Sequence, residues 1–455
     1  MRPSLRLRYH QGTTAHTASI YPFSVQGSFG HRGTYVGLDL LAGGGEFCWD
    51  PFEAYAAGLV TNPNAWVLGE PGNGKSALVK TLLWRQAAVY GTGPGGRWVA
   101  IADPKGEYTS LAEDLGLTTI RLSPGGTATL NPLAPGPAAD HEPPDKQTLR
   151  RAHMCAALVS CVLERALTQP EDALLFAAVE HLTTIRAEPT LADVAHLVTN
   201  PDHILDDRLG PRADLTAETR TVAYAVDKLL TRSLRGMFDG PSTVTLRWDG
   251  AGVVLDLSAV PLDSDALPLV MVATAGWFQQ LMACPGPQRI QVLDEAWALL
   301  GNLHTAAYLQ SCFKLGRTYG VANLCITHRA SDLAAQADDG TATSKIAAGL
   351  LADSATKIIL RQAPDQIAAA TSHFGLTEPE AAIVTQLARG RALWKLGGRS
   401  AVVQHVLAPA EVVLCDTDSR MHGTARARPE QRSSRSGHPR PPRRDPARRS
   451  RTAAA

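Results

Sequence analysis

Short near-continuous apolar runs punctuate the chain, and between them apolar positions recur at three- and four-residue spacing. The runs are Ala65-Trp66-Val67-Leu68, Trp98-Val99-Ala100-Ile101-Ala102, Thr118 to Leu122, Val253-Val254-Leu255-Asp256-Leu257, Ile290-Gln291-Val292-Leu293, Asn323 to Thr327 and Lys357 to Leu360. Runs apolar at every position are strands buried on both faces, whereas three- and four-residue spacing is the stripe of a helix. Their alternation predicts an α/β fold with a central, mostly parallel sheet covered by helices on both sides. A stretch rich in Gly and aromatics, with pieces such as Thr34 to Leu38, predicts a short β-rich lead-in over residues 1–64. The first part of the core spans 65–135. Residues 136–250 change character: Lys146 to Leu167 and Glu171 to Arg186 have helical spacing, and Thr190-Leu191-Ala192-Asp193 reads as a capped helix start, so an α-helical insertion is expected. The second part of the core spans 251–418 and closes on a hairpin, Ala392 to Leu396 and Ala401 to Leu407, around Gly397-Gly398. Residues 419–455 are nearly devoid of large apolar side chains and predict a disordered tail.

Between the run at 65–68 and the helical stretch from Ala77 lies Gly69-Glu70-Pro71-Gly72-Asn73-Gly74-Lys75-Ser76, a complete G-x-x-x-x-G-K-S loop. A strand feeding a glycine-rich turn that opens a helix gathers unpaired amides and the positive end of the helix dipole around a polyphosphate. Residues Gly69 to Ala77 are therefore expected to cradle ATP, with Lys75 reaching the β and γ phosphates and the Ser76 hydroxyl on Mg²⁺. Gly69 and Gly74 answer to backbone conformation or close approach, and Gly72 keeps the loop slim beside Pro71.

Such a loop needs a carboxylate at the end of another strand. Arg289-Ile290-Gln291-Val292-Leu293-Asp294-Glu295-Ala296-Trp297 supplies one, with Asp294 placed toward Mg²⁺ and Glu295 as the general base that polarises water. His328 follows the strand ending in Thr327; it is either a sensor of the γ-phosphate or a surface histidine at a strand exit. Arg317 and Arg361 are either arginine fingers toward a neighbouring subunit or partners in surface ion pairs. Asp103-Pro104-Lys105-Gly106-Glu107-Tyr108 also emerges on the nucleotide face. There Lys105 or Glu107 contacts a neighbouring subunit or nucleic acid, or the segment is a plain polar turn.

Length and charge add two points. At 455 residues the chain exceeds what one core usually holds. Its net charge of +1 conceals an asymmetry: residues 420–455 carry eleven Arg against Glu430 and Asp445, a net of +9, leaving −8 for the rest. The tail is a candidate DNA or anionic-lipid binder, or simply a solubilising extension. Seven widely spaced cysteines without a C-x-x-C pair support neither a disulfide framework nor a zinc site and point to a reducing, cytoplasmic setting. Neither a signal peptide nor a stretch of the ~20 apolar residues needed for a membrane span is apparent, so attachment at the inner face of the plasma membrane would go through partners.

Taken in order, GEPGNGKS, ADPKGEY, LNPLAPG, GMFDGPS, VVLDLS, VLDEAWALL, the segment from GRTYG to THRASDL, FGLTEPE and ARGRALWKLGGRS resemble the ATPases of conjugative type IV secretion systems, the TraC/VirB type within the HerA/FtsK superfamily. The resemblance covers roughly residues 30–408. It implies a RecA-like core interrupted by an all-α domain between its third and fourth strands. It further implies Mg-ATP hydrolysis in a homo-hexamer that drives substrate transfer through membrane channel components. Members of this family commonly carry a long N-terminal domain that docks on the channel; with about 60 residues ahead of the phosphate loop, docking by that route is expected only where a separate polypeptide supplies the domain. The rival within the superfamily is a hexameric translocase acting directly on duplex DNA, threaded through the pore. A non-hydrolysing nucleotide-binding assembly factor is a third reading, against which Glu295 argues.

Overall fold

The computed structural model describes residues 29–92, 96–135, 143–200, 216–244, 250–262, 264–282, 287–300, 303–316, 318–331 and 342–415. The basic tail and Arg317 lie outside the described residues. Eleven strands among the described residues form one sheet: β1 (Thr34–Asp39), β2 (Gly45–Trp49), β3 (Ala65–Leu68), β4 (Arg97–Asp103), β5 (Thr118–Arg121), β6 (Gly252–Asp256), β7 (Gln288–Leu293), β8 (Val321–Thr327), β9 (Thr356–Leu360), β10 (Arg391–Leu396) and β11 (Arg399–His405). Their order is β2-β1-β11-β10-β9-β3-β8-β7-β4-β6-β5. From β5 across to β9 every pairing is parallel. From β9 outward to β2 every pairing is antiparallel. The expected mostly parallel sheet is therefore present, and the segment from 29 to 49 extends it at the far edge.

The apolar runs behave as continuous burial requires. Successive side chains of a strand face opposite sides. Thus Trp98, Ala100 and Ala102 of β4 join Val253, Leu255 and Leu293 on one face. Val99 and Ile101 join Val254, Ile290 and Val292 on the other. The first face packs under helices Ala266–Met282 and Leu303–Gly316, the second under Lys75–Tyr90 and Thr109–Leu115. All seven residues of β4 are buried, which is why the alternation expected of a half-exposed strand is missing there.

Between β5 and β6 the described chain is helical, with Pro144–Leu163, Gln169–Ile185, Leu191–Thr199 and Thr216–Lys228 packed on one another. Two of these starts are set by local chemistry. Thr168 and Glu171, and likewise Thr190 and Asp193, form reciprocal capping boxes that satisfy amides the helix cannot pair itself.

The lead-in is locked to the core by one buried ion pair. Asp50 caps helix Pro51–Ala56 by accepting from the amides of Phe52 (3.0 Å) and Glu53 (2.9 Å). Its carboxylate also takes Arg97 Nε at 3.1 Å, Arg97 Nη2 at 3.0 Å and Gln86 Nε2 at 3.2 Å. The guanidinium stacks 3.8 Å from the Tyr90 ring centroid. One carboxylate thus ties the lead-in, the start of β4 and helix Lys75–Tyr90 together.

Candidate functional site

Strands β3, β8, β7 and β4 are consecutive in the sheet and parallel, so the residues that follow them leave the same edge. Leu68 pairs with Thr327 and Leu293 with Cys325, which keeps the exits nearly level. After β3 comes the glycine-rich loop, after β8 His328, after β7 Asp294 and Glu295, and after β4 the Asp103 to Tyr108 turn.

The loop has the backbone that phosphate binding asks for. Gly74 stands at the N-cap of helix Lys75–Tyr90 with φ of +99°, and no side chain caps that helix. Its first amides are therefore left for a ligand, as helix geometry dictates. Gly69 serves close approach instead, because a Cβ there would lie 2.8 Å from Leu360 Cβ. Gly72 has φ of +79°, so its role is conformational rather than only one of slimness. Glu70 and Asn73 fasten the loop to its surroundings. Glu70 Oε1 accepts from the Ala363 amide at 2.7 Å, beyond β9, and the Asn73 carbonyl accepts from the Gly390 amide at 3.2 Å, ahead of β10. Pro71 is exposed, while Ser76 and Ala77 are half-buried in the first helical turn. The Ala77 carbonyl accepts from Thr81 Oγ1 at 2.8 Å.

Four side chains then form a row across the four strand ends. Lys75 Nζ donates to the Gly69 carbonyl and lies 2.7 Å from His328 Nδ1. His328 Nε2 lies 2.6 Å from Glu295 Oε1 and 2.7 Å from Lys105 Nζ. Lys105 Nζ forms an ion pair with Glu295 Oε1, and the indole N–H of Trp297 donates to Glu295 Oε2. The Lys75 ammonium has no acceptor, so Nδ1 of His328 accepts from it; the hydrogen of the neutral ring then sits on Nε2 and donates to Glu295, and the approach of Lys105 Nζ to Nε2 is a contact between two donors rather than a hydrogen bond. The contacts thereby select one imidazole tautomer.

Asp294 and Glu295 are adjacent yet differently placed, and the backbone explains it. Glu295 has φ of +54°, one of two non-glycine residues with positive φ among the described residues. The Asp294 amide bonds the Ala102 carbonyl (3.3 Å) and the Ala296 amide the Ile326 carbonyl (3.0 Å), so β4 and β8 grip the chain on either side. The left-handed turn between them swings Glu295 toward His328 and leaves Asp294 behind, accepting from the Glu295 amide at 2.9 Å.

Charge follows the same geometry. Burial, with Glu295 next door, pushes the Asp294 carboxyl up to about 7. Burial acts upward on Glu295 too, but the bonds from His328 and Lys105 outweigh it and hold that carboxyl near 2. Burial pulls the Lys75 ammonium down to about 8 against the opposing field of Asp294. A carboxylate eager for a cation beside a partly desolvated ammonium suits a site where metal and phosphate meet.

The structure brings together Lys75, Asp294, Glu295 and His328, with the loop residues Gly69 to Ala77. Arg361 is exposed just past β9, where its carbonyl meets Asn73 Nδ2 at 3.5 Å. Sequence reasoning missed that Lys105 grips Glu295, although its position on the nucleotide face was legible. It also missed Trp297 and Gly390, for which no local pattern signals a contact, and the tether between Glu70 and Ala363, although Glu70 itself was expected in the phosphate cradle.

Neither protein-family models nor curated proteins produce a match to this sequence. Solved structures do. VirB4 of Thermoanaerobacter pseudethanolicus superposes with a TM-score of 0.66 at 21% identity, covering 85% of this chain and 100% of that one. The bacterial conjugative coupling protein TrwB, unbound, gives 0.52 at 15% identity over 76% of this chain and 85% of its own. TrwB in complex with ADP and Mg²⁺ gives 0.52 at 15% identity over 76% and 86%. The chain therefore has the P-loop α/β fold of VirB4 and of the conjugative coupling protein TrwB.

Proposed function

We propose that this chain is an ATP-hydrolysing motor subunit that powers conjugative transfer or type IV secretion. The observation that carries the reading is the row Lys75, His328, Glu295, Lys105 across four consecutive strand ends, beside the uncapped helix that follows the glycine-rich loop. Its likeness in fold to VirB4 and to TrwB, the latter also solved with ADP and Mg²⁺, supports the choice of motor.

In this reading the loop 69–77 wraps the phosphates, the amides at the uncapped start of helix Lys75–Tyr90 donate to them, and Lys75 leaves the Gly69 carbonyl for the β and γ oxygens. Ser76 and Asp294 would hold Mg²⁺, which neutralises charge on those oxygens. Glu295 takes a proton from the attacking water. His328 bridges Lys75 and Glu295, so movement of Lys75 toward or away from the γ-phosphate is felt at the base through a single imidazole. Arg361 and Arg317 are the arginines we assign to a neighbouring subunit's nucleotide, within a homo-hexamer. We place the ring at the cytoplasmic face of a membrane channel. No helix among the described residues is long and apolar enough to cross a membrane, so we assign attachment to partners.

The test is phosphate release by the purified full chain and by Glu295→Gln, with and without duplex DNA. Turnover in the wild type that falls by about 10²–10⁴-fold in Glu295→Gln is expected, the usual contribution of a positioned base. Absence of turnover in the wild type at every protein concentration would sink the motor reading. Strong stimulation by duplex DNA that survives removal of residues 420–455 would favour a translocase acting directly on DNA.

A further inference from the structure

Asp103, at the end of β4, is 1% exposed and accepts from the amides of Lys105 (3.3 Å), Glu107 (3.1 Å) and Tyr108 (2.9 Å). One carboxylate thus winds the following turn around itself, and Gly106 closes it at φ of +69°. The turn delivers Lys105 inward over β7. Its ammonium meets Glu295 Oε1, and from the other side the indole of Trp297 meets Oε2. Two elements therefore hold the two oxygens of one carboxylate, on a residue whose positive φ persists only where its surroundings fix it.

A carboxylate offers four lone-pair directions, two on each oxygen. Lys105 and His328 fill both on Oε1, and Trp297 fills one on Oε2. Among the described residues no other donor contacts Oε2, so one direction there is left to accept a proton. Lysine ammonium and indole N–H are donors only, so neither competes for that proton.

We infer that Lys105 and Trp297 are positioning residues that clamp Glu295 so that its Oε2 is the proton-accepting atom. The inference rests on Glu295 being the general base, and it replaces the reading of Lys105 as a contact to a neighbouring subunit or nucleic acid. Both act through Glu295.

The experiment measures kcat and KM for ATP, together with ADP affinity, in Lys105→Met, Lys105→Arg and Trp297→Phe. Each is made alone and in the Glu295→Gln background. Lys105→Met is expected to lower kcat about 10–100-fold, the range for a displaced catalytic group, with KM and ADP affinity within about twofold of wild type. Lys105→Arg should restore most of the loss, because a guanidinium can still donate to Oε1. Trp297→Phe, which removes only the N–H donor and part of the ring, should lower kcat less, and it remains informative if Lys105→Met fails to fold. In the Glu295→Gln background none of the three should lower turnover further. Equal fractional losses in both backgrounds, weakened ADP binding, or an unchanged kcat would each overturn the inference. A wild type that binds ADP but turns over no ATP would overturn it together with the motor reading, whereas an active wild type with an unaffected Lys105→Met would overturn it alone.

Discussion

Asp50 is fully buried and Arg97 is 4% exposed, so neither can return to water if the other is removed. Asp50→Ala deletes the acceptor for five donors at once: two amides of a helix start, Gln86 and two guanidinium nitrogens. Breaking a buried pair by removing one partner costs about 3–5 kcal/mol, chiefly through the uncompensated charge left behind. Loss of the cap by itself is worth about 1 kcal/mol, but it shares the same carboxylate and does not add in full. With an unfolding entropy of about 2.1 cal/mol/K per residue, the unit Met1–Cys415 should lose roughly 3–6 °C in melting temperature. Calorimetry or a circular dichroism melt reads this directly. The distinguishing arm is Asp50→Ala with Arg97→Met: removing both charges leaves no orphan, so the double variant should melt above the single one. A shift under about 1 °C for Asp50→Ala, or a double variant no better than the single, would refute the claim that this pair fastens the lead-in to the sheet.

Two further outcomes follow from particular contacts. Burial, assisted by Arg85, pulls the His405 imidazole from 6.5 down to about 4, while Thr81 Oγ1 lies 2.9 Å from its Nε2. The unfolded chain then binds a proton that the folded chain excludes, so stability should fall as pH drops from 6.5 to 4, by at most about 3 kcal/mol. Urea melts across that window should flatten in His405→Gln, and an unchanged slope would show that His405 is not the group responsible. Glu70→Ala removes the acceptor for the Ala363 amide and loosens the glycine-rich loop. At about 1 kcal/mol for such a bond, ADP affinity by titration calorimetry should weaken roughly fivefold, and no change would mean that the loop is set without this tether.

What could be read from the sequence was whatever depends on neighbours along the chain. GEPGNGKS needs only a strand before it and a helix after it, and β3 and helix Lys75–Tyr90 supply both. The start at Thr190 was legible because a capping box spans four residues. Gly397-Gly398 likewise joins β10 to β11 as a two-residue hairpin, with Leu396 opposite Arg399. What stayed hidden depends on pairing across long separations. No local pattern sends β1 to pair with β11, some 360 residues on. Nor does any mark Arg97 as a buried ion-pair partner rather than a surface charge at a strand start.

The row at the strand ends shows where that boundary falls. Each member was identifiable as a polar residue following an apolar run, but their contact is a property of strand order. Because β4 lies beside β7, Lys105 reaches Glu295. Had β6 taken that place, Lys105 would stand about 4.8 Å farther off, one strand spacing, and the turn after Asp256 would face the carboxylate instead. An ammonium would then give way to a segment in which the Asp256 carboxylate accepts from the Ser258 amide at 3.0 Å. The same motifs in the same sequence order would present Glu295 with one clamp instead of two. The chemistry assigned to this site is therefore carried by the sheet as much as by the glycine-rich loop, and variants that leave the motifs intact but disturb the β4–β7 register should lose turnover before they lose ADP.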